Sequence, residues 1–161
     1  MWAVQEAPAI ALMTANTAGT SAAATELPAA ATVLVIEDDA AFRSLLALHL
    51  SRAGYKVLVA EDAAEGGAML LSSRPDMLVL DILLPYLGGL DFLEAMRHDP
   101  DVGRTPVICV TGMRDDANYV RAMELGAEAV LAKPVRAEEL LATVARVMKG
   151  AGKQPRQDGM K

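Results

Sequence analysis

The chain is poor in cysteine, basic residues and long apolar runs, and each shortage removes a class of protein. Its one cysteine, Cys109, cannot close an intramolecular disulfide. Lying in the apolar run Val107-Ile108-Cys109-Val110, it reads as a reduced, buried strand residue, which fits a cytoplasmic protein. No run approaches the ~18 uninterrupted apolar residues of a membrane span, so no membrane contact is expected. Lysine and arginine number 15 against 21 aspartates and glutamates, a net charge of −6. A nonspecific nucleic-acid binder needs a cationic surface to displace phosphate counterions, so direct nucleic-acid binding is not expected. There is no lysine or arginine before Arg43, which argues against a secretory signal with its basic first segment. The two histidines, His49 and His98, fall on the edge of an amphipathic face and near a helix end, and neither reads as catalytic.

What is present fits one domain with tails, since 161 residues leave no space for a second sizeable core. Residues 1–31 hold 12 alanines, carry only Glu6 and Glu26 as charges and lack an apolar period, so a disordered tail is expected, with Met13 as an alternative start. Residues 150–161 are expected to form a second, flexible tail, which leaves 32–149 as the folded domain. There the pattern alternates. Short β-branched or apolar runs at 33–36, 56–60, 76–81, 105–110 and 129–132 predict strands, and the segments 40–53, 62–73, 89–98, 115–125 and 137–148 predict helices. On the first helix Phe42, Leu45, Leu46, Leu50 and Ala53 are expected to form the apolar face. Asp39 and Asp62 are expected as helix caps, and Met69, Met96, Met123 and Met148 as core-compatible helix residues. Five βα units imply an α/β, doubly wound, flavodoxin-like parallel sheet of order 2-1-3-4-5 with helices on both faces.

In open α/β sheets, ligands bind beyond the carboxyl ends of the strands, near the point where strand order reverses. That rule selects Glu37 and Asp38 after the first strand, Asp81 after the third, Thr111 after the fourth and Lys133 after the fifth. Each has a plain reading by itself: a solvated acidic turn, a strand end, a turn cap, a surface lysine. Together they crowd three carboxylates into one crevice. Like charges ~4 Å apart cost about 4 kcal/mol per pair at an effective dielectric near 20, which calls for a cation. Hard oxygen ligands without histidine or thiol suit Mg²⁺, and Thr111 and Lys133 suit phosphoryl oxygens, so the set describes an acyl-phosphate site.

The segments VLVIEDD, LVLDILLPYLGGL, VICVTG and AVLAKP, in that order and spacing, resemble the receiver domain of two-component response regulators from about Thr32 to Lys149. The resemblance implies Asp81 as phosphoacceptor, with Asp38, Glu37 acting through water, and the Leu83 carbonyl completing the Mg²⁺ ligands. It further implies Thr111 and Lys133 as phosphoryl-binding residues, and a Lys133-Pro134 bond of a kind often cis. A histidine kinase or histidine phosphotransfer protein would be the donor and an effector protein the recipient of the signal, while a homodimer stays open. A receiver plus a full effector domain exceeds this length. The domain would phosphorylate and dephosphorylate itself rather than act as a metabolic enzyme. Modification of Asp81 would draw Thr111 inward and shift the face formed by the fourth helix, fifth strand and fifth helix.

Three departures stand out. Val130 replaces the aromatic residue that receivers usually carry three positions before the lysine, so Tyr119 or the loop after Thr111 would have to carry the signal. Val135 stands where the family commonly has Phe. Leu83 and Met113, both apolar, flank the acceptor and should hinder an attacking water, giving a long-lived phosphoryl group. Two competing readings are a phosphorylation-independent interaction module, favoured by Val130, and a haloacid-dehalogenase-type phosphohydrolase. The latter wants a second aspartate where this chain has Leu83. A flavin carrier of the same topology would need a phosphate-binding loop in place of Glu37-Asp38-Asp39.

Overall fold

The computed structural model describes residues 30–112 and 116–152. Most of the expected N-terminal tail, Met113, the expected helix start at Asp115, and the chain from residue 153 on lie outside the described residues. In chain order the elements are β1 (Thr32–Ile36), α1 (Ala40–Arg52), β2 (Lys56–Ala60), α2 (Ala63–Ser73) and β3 (Met77–Asp81). These are followed by α3 (Gly89–Arg97), β4 (Val107–Thr111), α4 (Asp116–Glu124), β5 (Ala129–Ala132) and α5 (Ala137–Ala151). The strands form one parallel sheet in the order β2-β1-β3-β4-β5. This is the expected flavodoxin-like arrangement, with the order reversing between β1 and β3.

Successive strand side chains point to opposite faces, so each buried strand feeds two cores. Val33, Val35, Met77, Val79, Ile108, Val110 and Leu131 pack with Leu46 and Leu50 of α1 and Leu140, Val144 and Val147 of α5. The alternate residues, including Leu34, Ile36, Leu78, Leu80 and Cys109, pack with Leu70 of α2, Phe92, Leu93 and Met96 of α3, and Ala122 of α4. Cys109 is fully buried and its thiol unpaired; burial pushes its pKa up to about 12, so it stays protonated.

The helices start where their sequences say they should. Asp39 accepts the Phe42 N–H at 2.7 Å and Asp62 accepts the Glu65 N–H at 2.8 Å, each satisfying a donor that the first turn leaves unpaired. Three details differ from expectation. Leu45 is exposed on α1 and Met123 on α4, and Ala53, the residue that caps the end of α1, is exposed too. Leu45 and Met123 each sit about 100° around the helix from the buried neighbour that fixes the face, Leu46 and Ala122. The last strand pair also shifts: β4 begins at Val107 and runs through Thr111, because its ladder pairs Thr111 with Ala132. Finally, α5 continues past Met148 to Ala151 through Gly150, a residue whose helical cost of about 1 kcal/mol is too small to end a helix anchored by Val147.

Arg97, at the end of α3, ties together the amino ends of two strands. Its guanidinium donates to the Gly103 and Thr105 carbonyls before β4 at 2.9 and 2.8 Å. It also donates to the Leu125 and Gly126 carbonyls before β5 at 3.0 and 2.8 Å. Burial lowers its pKa, while the charge of Glu128 opposes the shift.

Candidate functional site

The ladder continues one residue past three strands: Glu37 N–H donates to the Ala60 carbonyl at 3.1 Å, Ile82 N–H to Val110 at 2.9 Å, and Lys133 N–H to Thr111 at 2.8 Å. Strand parity therefore holds through the site. Glu37 follows Val33 and Val35, Asp81 follows Met77 and Val79, and Lys133 follows Leu131, so all three side chains belong to the α1 and α5 side of the sheet. Thr111 has the opposite parity to Val110.

The structure brings Glu37, Asp38 and Asp81 together, with one carboxylate oxygen of each lying within 4.8 Å of the others. Glu37 and Asp81 are buried, at 1% and 3% exposure, while Asp38 faces solvent. Lys133 Nζ lies 2.9 Å from Glu37 Oε2 and 3.3 Å from Asp81 Oδ2, bridging the two. The Glu37 contact is close but poorly aligned, so Oε2 is a buried oxygen held by charge without a well-directed donor. Glu37 Oε1 accepts the Asp39 N–H at 3.1 Å, and Asp81 Oδ1 accepts the Leu83 N–H at 3.0 Å. Thr111 is buried at the end of β4. The Leu83 side chain is 48% exposed.

Burial is the largest influence on Glu37 and raises its pKa. Lys133 and the Asp39 N–H pull it back, the Asp81 charge adds to the rise, and the net value is about 7. Burial alone would lower the pKa of Lys133, but Glu37 and Asp81 outweigh it and the ammonium is held above its ordinary value. With three carboxylates and one ammonium, the fully ionised pocket has an excess of two negative charges. An all-oxygen donor set with an under-satisfied buried Oε2 and that excess fits a hard divalent cation such as Mg²⁺.

Close backbone approach keeps the loop after β3 tight. Gly89 N–H donates to the Ile82 carbonyl at 2.9 Å, and a Cβ at Gly89 would overlap the Asp81 carbonyl oxygen and lie 2.8 Å from Ile82 Cα. Only glycine lets α3 start there. Lys133-Pro134 is cis.

The sequence profile of the response regulator receiver domain matches residues 33–145. The chain belongs to that family. Among curated relatives of this receiver domain, the phosphate regulon transcriptional regulatory protein PhoB of Pseudomonas aeruginosa is 30% identical over 121 residues, 75% of this chain and 53% of that protein. The transcriptional regulatory protein AfsQ1 of Streptomyces coelicolor is 37% identical over 117 residues, 73% of this chain and 51% of that protein. The chain thus spans about half the length of the curated relatives it matches. Among solved structures, the chemotaxis response regulator CheY4 of Vibrio cholerae superposes with a TM-score of 0.70 at 30% identity, over 74% of this chain and 99% of that one. A CheY-like receiver domain protein from Methanospirillum hungatei gives 0.73 at 29% identity, over 79% and 100%. No helix among the described residues of the receiver domain is long and apolar enough to cross a membrane.

Sequence reasoning missed two residues on the first turn of α1. Arg43 Nη1 donates to the Glu37 carbonyl at 2.8 Å and the Asp38 carbonyl at 3.3 Å, bracing the acidic loop. The Phe42 ring lies 4.6 Å from Lys133 Nζ. Parity could have found the second: the lysine projects from the sheet face that α1 covers.

Proposed function

We propose that the domain accepts a phosphoryl group on Asp81 from the phosphohistidine of a histidine kinase or histidine phosphotransfer protein, and that the acyl phosphate alters contact with an effector protein. The observation that carries this reading is the convergence of Glu37, Asp38 and Asp81 oxygens within 4.8 Å, with Lys133 bridging two of them. An Asp81 oxygen attacks phosphorus in line, the P–N bond breaks, and the imidazole leaves with the electron pair. The Lys133 ammonium, already 3.3 Å from Asp81 Oδ2, shifts to a phosphoryl oxygen and neutralises charge there. The Thr111 hydroxyl donates to another phosphoryl oxygen. Mg²⁺, held by Glu37, Asp38, Asp81 and the Leu83 carbonyl, would supply further charge neutralisation. Later attack of water on phosphorus breaks the O–P bond and returns Asp81 with inorganic phosphate.

Incubation with acetyl phosphate and Mg²⁺ followed by intact mass tests the reading. Wild type is expected to gain one phosphoryl group and Asp81→Asn none. Labelling that persists in Asp81→Asn refutes Asp81 as acceptor. Wild type that takes up no phosphate favours the phosphorylation-independent interaction module, the reading to which half-buried Val130 lends weight. Turnover of phosphate esters would instead favour the phosphohydrolase, which Leu83 argues against.

A further inference from the structure

The acceptor pocket has a third partner for its lysine. Besides Glu37 and Asp81, the Lys133 ammonium faces the ring of Phe42, 4.6 Å from its centroid. Phe42 is held in place by the start of α1, where its N–H bonds to the capping Asp39. The following residue, Arg43, grips the carbonyls of Glu37 and Asp38. One helical turn therefore fixes the acidic loop and the aromatic ring together. Ring and ammonium line one cleft with Asp39, Leu45, Pro134 and Val135.

We propose that Phe42 is a positioning residue for phosphoryl transfer, its ring face holding the Lys133 ammonium in reach of Asp81. The inference rests on the acceptor reading above. Lysine carries a flexible four-carbon stem, and an unconfined ammonium would spend much of its time in solvent. A second fixed hydrogen-bond acceptor would hold it at one point. The face of an aromatic ring attracts a cation over an area, so the ammonium can slide from carboxylate to phosphoryl oxygen without leaving its support. Lys133 is 26% exposed while its two carboxylate partners are buried, so the ring covers a side that water would otherwise share.

The test uses the full chain with Phe42 unchanged, replaced by mono-, di- and trifluorinated phenylalanine, and as Phe42→Leu and Phe42→Trp. Fluorine withdraws electron density from the ring face at nearly constant shape, so the series separates attraction from packing. The first readout needs no donor: upfield ring-current shifts of the Lys133 ε-methylene protons are expected in wild type and absent in Phe42→Leu. The second is kcat/KM for acetyl phosphate with Mg²⁺. It should fall about three- to ten-fold in Phe42→Leu, decline stepwise along the fluorinated series, and return in Phe42→Trp. Absence of the ring-current shift in wild type overturns the inference. So does a fluorinated series whose rates equal wild type while wild type labels normally, which leaves the acceptor reading intact. Wild type that takes no phosphoryl group onto Asp81 overturns the acceptor reading, and the positioning role with it.

Discussion

Replacing Glu37 with glutamine isolates the electrostatic cost of the pocket. The folded carboxyl titrates at about 7 against an ordinary 4.5, and at about 1.4 kcal/mol per unit that interval corresponds to about 3 kcal/mol. Because the folded pKa is the higher one, the native state binds more protons than the unfolded state between those values. Stability therefore falls as pH rises through this window, and the full cost is present above about pH 7. Glutamine is neutral throughout and mimics the protonated acid. Urea unfolding of both proteins with a chelator present, at several values from about pH 4 to about pH 8, is expected to give equal stabilities at the acid end. Toward the alkaline end Glu37→Gln should become more stable by up to about 3 kcal/mol. Taking the difference between the two proteins removes every other titrating group. Parallel pH curves would refute the reasoning, because they would mean that burial and Asp81 do not hold Glu37 in its neutral form. Adding Mg²⁺ at about 100 times its Kd should stabilise wild type by about 2.7 kcal/mol and close most of the gap. Uptake near neutral pH should release protons in wild type and fewer in the variant.

Other substitutions test the frame around the pocket. Gly89→Ala is expected to cost at least about 2 kcal/mol in urea unfolding, because the added Cβ meets backbone, which cannot rotate away; a neutral result would mean that the start of α3 moves freely. Arg97→Leu should cost about 3 kcal/mol by leaving four carbonyls from two segments without their donor, with Arg97→Lys in between. Equal stability of Arg97→Leu and wild type would contradict that. Leu50→Ala, in the fully buried face of α1, should cost about 2 to 5 kcal/mol in the same assay. Leu83→Asn is expected to shorten the life of the phosphorylated form, measured by the decay of the labelled mass, since it replaces an apolar neighbour of Asp81 with one that can orient water.

Much of this architecture is legible in the residues. The runs at 33–36 and 77–81 end in carboxylates because a buried parallel strand turns polar only where it leaves the sheet, and that ending located Glu37, Asp38 and Asp81 together. Helix caps were equally readable, since Asp39 and Asp62 stand directly before apolar periods. The exposed Leu45 and Met123 were not, because a leucine or methionine one step from the buried stripe satisfies the same loose periodicity and only packing decides which of two neighbours turns inward. Nor were the contacts made by long side chains. Nothing local marks Arg43 as reaching back to the Glu37 carbonyl or Arg97 as spanning 28 residues to that of Leu125; these depend on where separate segments end in space.

The reach of Arg97 bears on how the phosphorylation proposed at one rim of the sheet would become a mechanical event. Its guanidinium grips the segments entering β4 and β5, at the end of the sheet away from Asp81. A displacement begun at Thr111 would then meet a fulcrum rather than a free rod. The strand entries would stay anchored, and the excursion would be confined to the rim where α4 begins and the loop before α5 leaves the sheet.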